Sequence, residues 1–190
     1  MATEPYEVIV GPGQVWIAPV GTTFPTINQA PATEWISLGR TDGGVTIRHI
    51  EETEEITVDQ SFLPVKEVVT RRAEEIEFAL AEITLERYAK LLGDVTVTTQ
   101  AAGSGTPGYK SLPIQASQNM ARYAMLIRVP SPYMDAYMQY EYAAVSPTGQ
   151  KEIAYQKGEK STLSTTWKAL EDPSNPGVFG TLRAQHQPPA

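Results

Sequence analysis

The residue types that most often carry catalysis or metal binding are scarce in this sequence. It contains two histidines, His49 and His186, and no cysteine. The lack of cysteine excludes disulfides, thiolate metal ligands and cysteine nucleophiles together. A serine-hydrolase triad or a histidine metal site would have to be built around His49, because His186 lies in a Pro- and Gln-rich stretch. His49 lies inside a strand-like run, so we interpret it as a structural residue.

A glycine-rich segment at 103–111, GSGTPGYKS, is similar to a phosphate-binding loop but does not complete the motif. That motif places a lysine directly after the second glycine, where its amine meets the β- and γ-phosphates. Here Tyr109 occupies that position, and Pro107 lacks the N–H that a phosphate cradle requires. We therefore predict a plain flexible loop.

Carboxylates and tyrosines offer weaker signals for chemistry. The pairs Glu51/Glu55 and Glu75/Glu77 have the chemistry for acid–base catalysis or cation binding, yet no histidine or Asp-x-Asp loop accompanies them. A solvated acidic face is the simpler interpretation. Four tyrosines could form a stacking platform for carbohydrate or bases, but tyrosine is also typical of strands and interfaces. They are Tyr133, Tyr137, Tyr140 and Tyr142. We predict no catalytic, cofactor-binding or metal-binding residue.

Length and charge narrow the class of protein further. The chain has 190 residues, a net charge of −7 and 41% hydrophobic residues. This is enough for one domain with a real core. The acidic balance, with a sequence pI of about 4.9, argues against a basic face that grips nucleic acid. No signal peptide and no membrane-spanning apolar run are expected, so we expect a soluble protein.

Two long alternating runs predict a β-hairpin. Residues 45–50 alternate, and in residues 73–81 the apolar Ile76, Phe78 and Leu80 point away from a small or acidic face. A helix would scatter those three side chains over about 200°, at roughly 100° per residue. We therefore predict antiparallel strands at 45–58 and 65–83, joined by a tip at 59–64. Together they form a long hairpin arm at about 45–83.

The remaining elements complete a mostly antiparallel β protein. Thr84 can cap a short helix over 84–92 that Gly93 ends. Strands are predicted at 121–129, 137–145 and 161–170, with a turn at 146–149 and a loop at 100–108. We predict one domain over 1–172 and a flexible tail over 173–190.

Several segments together resemble the major tail tube proteins of long-tailed, non-contractile bacteriophages. They are GPGQVWIAPVGTTFPT (11–26), EWISLGRTDGGVTI (34–47), VDQSFLPVKEV (58–68), EEIEFALAEITLERYAKLLG (74–93) and TTWKALED (165–172). Their order and spacing carry the resemblance. It implies a β-sandwich or half-barrel with one flanking helix, assembled as hexameric rings that stack into a tube for DNA ejection.

The resemblance also implies partners and roles for particular residues. Partners would be further copies of the chain, tape-measure and other tail proteins, and double-stranded DNA in passage, without membrane insertion. The location would be the virion tail, after assembly in the host cytoplasm. The hairpin tip would contact an adjacent ring through Phe62, Leu63 and Val65. The channel would be lined by Glu75, Glu77, Ala79 and Ala81, because acidic and small side chains do not bind phosphate.

Three alternatives remain open at this point. One is another virion structural protein, such as a decoration or tail-completion protein. Another is the related tube of a bacterial secretion machine. The third is a β-fold hydrolase that uses carboxylates, which would require a concave pocket with two carboxyl groups of shifted pKa.

Overall fold

Antiparallel strands form most of the protein, whose computed structural model describes residues 11–114, 120–133, 136–153, 155, 157–158 and 160–187. The strands are β1 (Gln14–Pro19), β2 (Ile36–Ser37), β3 (Thr41–Ile56), β4 (Lys66–Leu80), β5 (Thr98–Gln100), β6 (Tyr109–Ser111), β7 (Tyr123–Pro130), β8 (Tyr137–Ile153), β9 (Leu163–Ala169) and β10 (Gly180–Ala184). The helix is α1 (Leu85–Leu91). The predicted mainly-β fold with one helix is confirmed.

Eight of these strands form one sheet within the described part of the chain. Its order is β2-β1-β7-β8-β9-β4-β3, and β10 pairs with β8 outside this path. Every neighbouring pair is antiparallel. The long strand β8 has two partners on one side: β10 pairs with 138–142 and β9 with 145–153. Strands β9 and β10 therefore lie end to end along β8, although a connecting segment separates them in the sequence.

The main hydrophobic core lies on one face of this sheet. Ile76, Phe78 and Leu80 of β4 are buried there, as the alternation predicts, and Ile76 lies opposite the buried Trp167. The two ends of the sheet approach each other. A Cβ at Gly13 would lie 3.0 Å from Cγ2 of Val45 in β3, so the chain just before β1 lies close against β3. The sheet is therefore curled around its core, consistent with a half-barrel.

The opposite face carries a second, smaller cluster. Ala124 and Leu126 of β7 pack there with Ala18 and Trp35. The ring of Phe24 lies 5.1 Å from that of Trp35, centroid to centroid. The segment between β1 and β2 thus covers one part of the outer face, because its aromatic residues complete this cluster.

Three predicted boundaries need correction. The predicted turn at 146–149 lies inside β8, because a bulge between Thr148 and Glu152 absorbs Gly149, whose φ is +67°. The loop predicted at 100–108 is present as the connection of a small β5–β6 hairpin, but the end of the flexible loop predicted at 103–111 forms β6. Within the predicted flexible tail, β10 is a strand of the main sheet. In each case pairing with another strand overrides local turn composition.

The helix agrees with its sequence signals. The hydroxyl of Thr84 accepts a hydrogen bond from the backbone N–H of Arg87, and Gly93 follows with a φ of +99°. Ala89 and Leu91 are buried against the sheet. In the described residues, no helix has the length and apolar character to cross a membrane.

Candidate assembly surfaces

The outer part of the β3–β4 hairpin has no neighbour in the sheet. Strand β9 pairs only with residues 75–80 of β4, whereas the β3–β4 pairing continues to Ile56 and Lys66. We call residues 51–72 the arm. From Glu51 to Ile56 the arm extends about 17 Å, at roughly 3.3 Å per residue. The inner part of the predicted hairpin, by contrast, belongs to the sheet.

Cross-strand ion pairs explain how the arm tolerates its run of glutamates. Glu51 pairs with Arg72 at 2.8 Å, and Glu52 pairs with Arg71 at 2.6 Å. Each exposed pair stabilises by only about 0–1 kcal/mol, but both remove repulsion that would splay the strands. Further out, Glu55 lies opposite Glu67. The arm carries six acidic and three basic residues, a net charge of −3.

A β-bulge lies within the arm, just beyond its two ion pairs. Glu52 lies opposite Arg71, whereas Thr53 lies opposite Val69, so Thr70 is the extra residue. The Thr70 hydroxyl donates to the backbone carbonyl of Glu52 at 3.1 Å. A bulge of this kind bends the strand and increases its twist.

The tip of the arm exposes large apolar side chains. Phe62 is 108% exposed, Leu63 73% and Val65 55%. The backbone beneath them is organised, because the Ser61 hydroxyl accepts from the N–H of Leu63 and donates to its carbonyl. The sequence places these residues at the tip correctly. Contiguous exposed apolar side chains of this kind mark an interaction site.

The predicted channel-lining residues lie on the face of β4 opposite the core. Glu75, Glu77 and Ala79 are partly buried, and Ala81 is exposed just beyond the end of β4. Across the β4–β9 pairing, Glu75 lies opposite Lys168. The structure therefore brings Glu75, Glu77 and Ala79 onto one surface, which we call the β4 outer face.

Two cations that sequence reasoning misses lie on the β4 outer face. Arg48 of β3 donates to Oε1 of Glu77 at 2.6 Å, and Lys168 faces Glu75 in register. Hydroxyl-bearing Thr166 and small Ser164 lie beside them. This surface is polar and close to neutral, not acidic. Alternation within β4 alone could not reveal it, because the opposing residues depend on the strand register.

A buried polar network fixes the segment between β1 and β2 to the sheet. Gln139 is fully buried; its Oε1 accepts from Nε of Arg128 at 2.7 Å, and its amide donates to Oε1 of Glu141 at 2.6 Å. The same amide donates to the carbonyl of Pro25, and Arg128 donates to that of Thr26. Burial lowers the pKa of Arg128, which nearby Glu141 opposes.

A second buried polar pair lies where the arm leaves the sheet. The Tyr142 hydroxyl donates to Oε1 of the buried Glu74 at 2.5 Å. Burial, followed by this hydrogen bond, raises the pKa of Tyr142. Tyr140 stacks on Tyr142, with 6.4 Å between ring centroids. Nδ1 of His49 lies 3.6 Å from the same Glu74 oxygen, and the exposed imidazole is a strand residue, as predicted.

The hydrogen bonds of these buried polar groups join different strands of the sheet, so their role is structural. The described residues contain no group of three or more His, Asp or Glu side chains placed to bind a metal ion. The subunit leaves uncovered the apolar side chains of the arm tip and the backbone groups along the unpaired outer edge of β3. Both have the chemistry of protein–protein contact.

Comparison with known proteins adds a family. A protein-family model described as phage tail tube protein matches residues 1–179. A search of the curated proteins found no match. Among solved structures, the chain is similar to one from the tail of an empty GTA particle, computed with helical refinement and C6 symmetry. The identity is 10%, the match covers 97% of this chain and 99% of that chain, and the TM-score is 0.42.

Proposed function

The chain belongs to the phage tail tube protein family, and we propose that it polymerises into stacked hexameric rings that form a tube for DNA ejection. Family membership makes the chain a structural component of the phage tail and implies a role without catalysis. We propose further that the tail is the non-contractile tail of a long-tailed phage. The protein would assemble in the host cytoplasm and contact tape-measure and other tail proteins.

The observation that carries the proposal is the arm with its exposed tip. The side chains of Phe62, Leu63 and Val65 are left mostly exposed by their own subunit. A two-stranded hairpin standing alone is marginal in water. Burial of the tip in a neighbouring copy would stabilise the arm and join one ring to the next.

Ring closure is supported by the strand edges. In the described sheet, β3 is the last strand, and its outer edge has no partner along its 16 residues. Such an edge invites pairing with another chain unless it is covered. A repeated head-to-tail contact covers the edge of every subunit and closes a ring if the rotation between subunits fits. We propose that residues 1–172, together with β10, act as one domain within such a ring.

We further propose that the β4 outer face lines the channel, with Glu75, Glu77, Ala79 and Ala81. A wall past which DNA slides must not bind phosphates, since each lysine or arginine that does so releases counterions and strengthens binding. Support comes from Arg48, whose charge is held by Glu77, and from the small or hydroxyl-bearing residues of β9. Double-stranded DNA would therefore meet a nearly neutral surface.

Electron microscopy of the purified protein tests the proposal. Concentrated protein should form tubes with a central channel, and end views should show sixfold rings. Light scattering over a range of protein concentrations should show polymerisation above a threshold. Protein that stays monomeric at high concentration under varied salt and temperature would overturn it.

A further inference from the structure

An apolar groove opens at the end of the sheet where β1 finishes and β7 begins. Its volume is about 170 Å³. Ile17 and Tyr123 form its buried floor, and Val20 and Ile36 are 41% and 43% exposed at its mouth. Exposed β-branched side chains beside a cavity are hydrated unfavourably. Such a cavity therefore favours binding of an apolar side chain over water.

We propose that this groove receives the arm tip of a second copy of the chain, in the adjacent ring. The inference rests on the proposed function, because it names the receptor for the arm within the stacked tube. The occupant is the pair Phe62 and Leu63, which its own subunit leaves exposed.

The directions of the strands support a contact between different copies. Neighbouring strands are all antiparallel, so β3 runs toward the arm tip in the same direction as β7 runs from Tyr123 to Pro130. Through the strand register, Tyr123 is level with Val145 and Ala169, and so with the base of the arm on β4. The tip of the same subunit projects away from the groove, so a subunit carries a projecting tip and, behind it, a recess. Contacts of this head-to-tail type repeat without limit along an axis.

Size and charge agree with this occupant. A dry cavity of about 150 Å³ accommodates benzene, so a groove of 170 Å³ is large enough for the phenyl ring of Phe62. Lys90 and Arg122 lie at the rim with one carboxylate, Asp94, which leaves one excess positive charge. The arm behind the tip has a net charge of −3. The rim therefore attracts the arm while the groove buries the tip.

The natural chain has no cysteine, so site-directed disulfides can test the contact without background. A disulfide requires two Cα atoms within about 7 Å of each other. Leu63→Cys and Ile36→Cys proteins are prepared separately, mixed under assembly conditions and oxidised. The control mixes Leu63→Cys with Tyr109→Cys, because Tyr109 on β6 is more exposed than Ile36.

The proposal predicts covalent dimers in the Leu63/Ile36 mixture, at least tenfold more than in the control. A chain carrying both substitutions should give a ladder of covalent oligomers along the tube. Tubes that form without this cross-link, or with equal cross-linking to Tyr109, would overturn the groove assignment and leave the proposed function standing. If neither tubes nor cross-links form at any concentration, both proposals fail.

A second variant tests the role of the groove in assembly without any oxidation step. Ile36→Asp should raise the concentration threshold for assembly at least tenfold without changing the melting temperature, because Ile36 is already partly exposed. Tyr109→Asp is the matched control and should assemble normally. An unchanged threshold for Ile36→Asp would count against the groove.

Discussion

Arg48 lies opposite Glu75 in the β3–β4 register and reaches diagonally to Glu77, to which it is joined by a 2.6 Å hydrogen bond on the side of the sheet away from the core. The guanidinium is thereby held by a carboxylate of its own subunit. This relationship changes the electrostatic description of the β4 outer face, because a surface that seems acidic along β4 alone is balanced once β3 is included. It also defines which substitutions should matter for DNA.

Replacing Glu75 and Glu77 with lysine should leave the tube intact but slow the passage of DNA. The change adds two cations and releases Arg48 from its partner. Each cation that meets a phosphate contributes about −0.9 to the slope of log binding constant against log salt, so added salt should relieve the delay. Ejection kinetics of particles assembled from variant subunits measure this.

The control for the channel is Glu34→Lys, an exposed charge change in the segment between β1 and β2. It should leave ejection unchanged at every salt concentration. If the double variant assembles and ejects DNA at the normal rate, another face lines the channel.

Replacing Phe62 and Leu63 with aspartate should abolish tubes without lowering the melting temperature of the monomer. Burial of two such side chains stabilises each joint by roughly 3–6 kcal/mol. Because both are exposed in the subunit, its own stability should not depend on them. Light scattering and calorimetry measure the two effects separately.

The conservative variant Phe62→Leu keeps an apolar tip and should still assemble. A drop in the monomer's melting temperature for the aspartate variant would show that the tip packs on its own subunit. The arm would then have no role between rings.

Stability should fall as the pH rises above about 10. Burial raises the pKa of both Tyr142 and Tyr123 above the ordinary tyrosine value of 10.0. Both phenols stay protonated in the folded state while those of the unfolded chain ionise, so the unfolded state binds fewer protons and its free energy falls relative to that of the folded state. Their contribution is complete below pH 10 and is lost above it. Urea unfolding between pH 8 and 11.5 measures the slope.

Tyr142→Phe isolates one of these groups. The variant should lose about 1–3 kcal/mol at pH 8, because the buried Glu74 carboxylate loses its hydrogen-bond donor. Above pH 10 its stability should fall less steeply than that of the natural protein. A slope that does not change would show that Tyr142 ionises as easily in the fold as in the unfolded chain.

Replacing Gln139 with leucine should destabilise the fold strongly. The side chain is fully buried and bonds Arg128, Glu141 and the carbonyl of Pro25. Its loss leaves those groups unsatisfied at a cost of about 1–3 kcal/mol or more. Gln29→Leu, at an exposed position nearby, should have little effect in the same urea unfolding experiment.

The sequence predicts best what depends on local pattern. Period-two alternation identifies Ile76, Phe78 and Leu80 as core residues, and the capping threonine identifies the helix. The exposed tip also follows from the sequence, because an apolar knot interrupts a polar hairpin.

What the sequence does not predict depends on contacts between distant segments. The turn expected at 146–149 is a bulge inside β8, since pairing with β9 on one side holds the chain extended. The placement of Arg48 beside Glu77 requires the strand register. The burial of Arg128 requires a loop more than 100 residues away, whose Thr26 carbonyl accepts its hydrogen bond. No local pattern contains that information.

The bulge at Thr70 sets the direction in which the arm points. One extra residue on β4 bends the strand and increases its twist, while Val69 and Val68 stay opposite Thr53 and Glu54 of β3. A chain that lost Thr70 would keep these pairings and almost the same arm length, yet the part of the arm beyond the bulge would point in another direction. Deletion of Thr70 should therefore disrupt stacking although the tip itself is unchanged. The geometry of each joint in the tube would then depend on the bend at this one residue, as well as on the length of the arm.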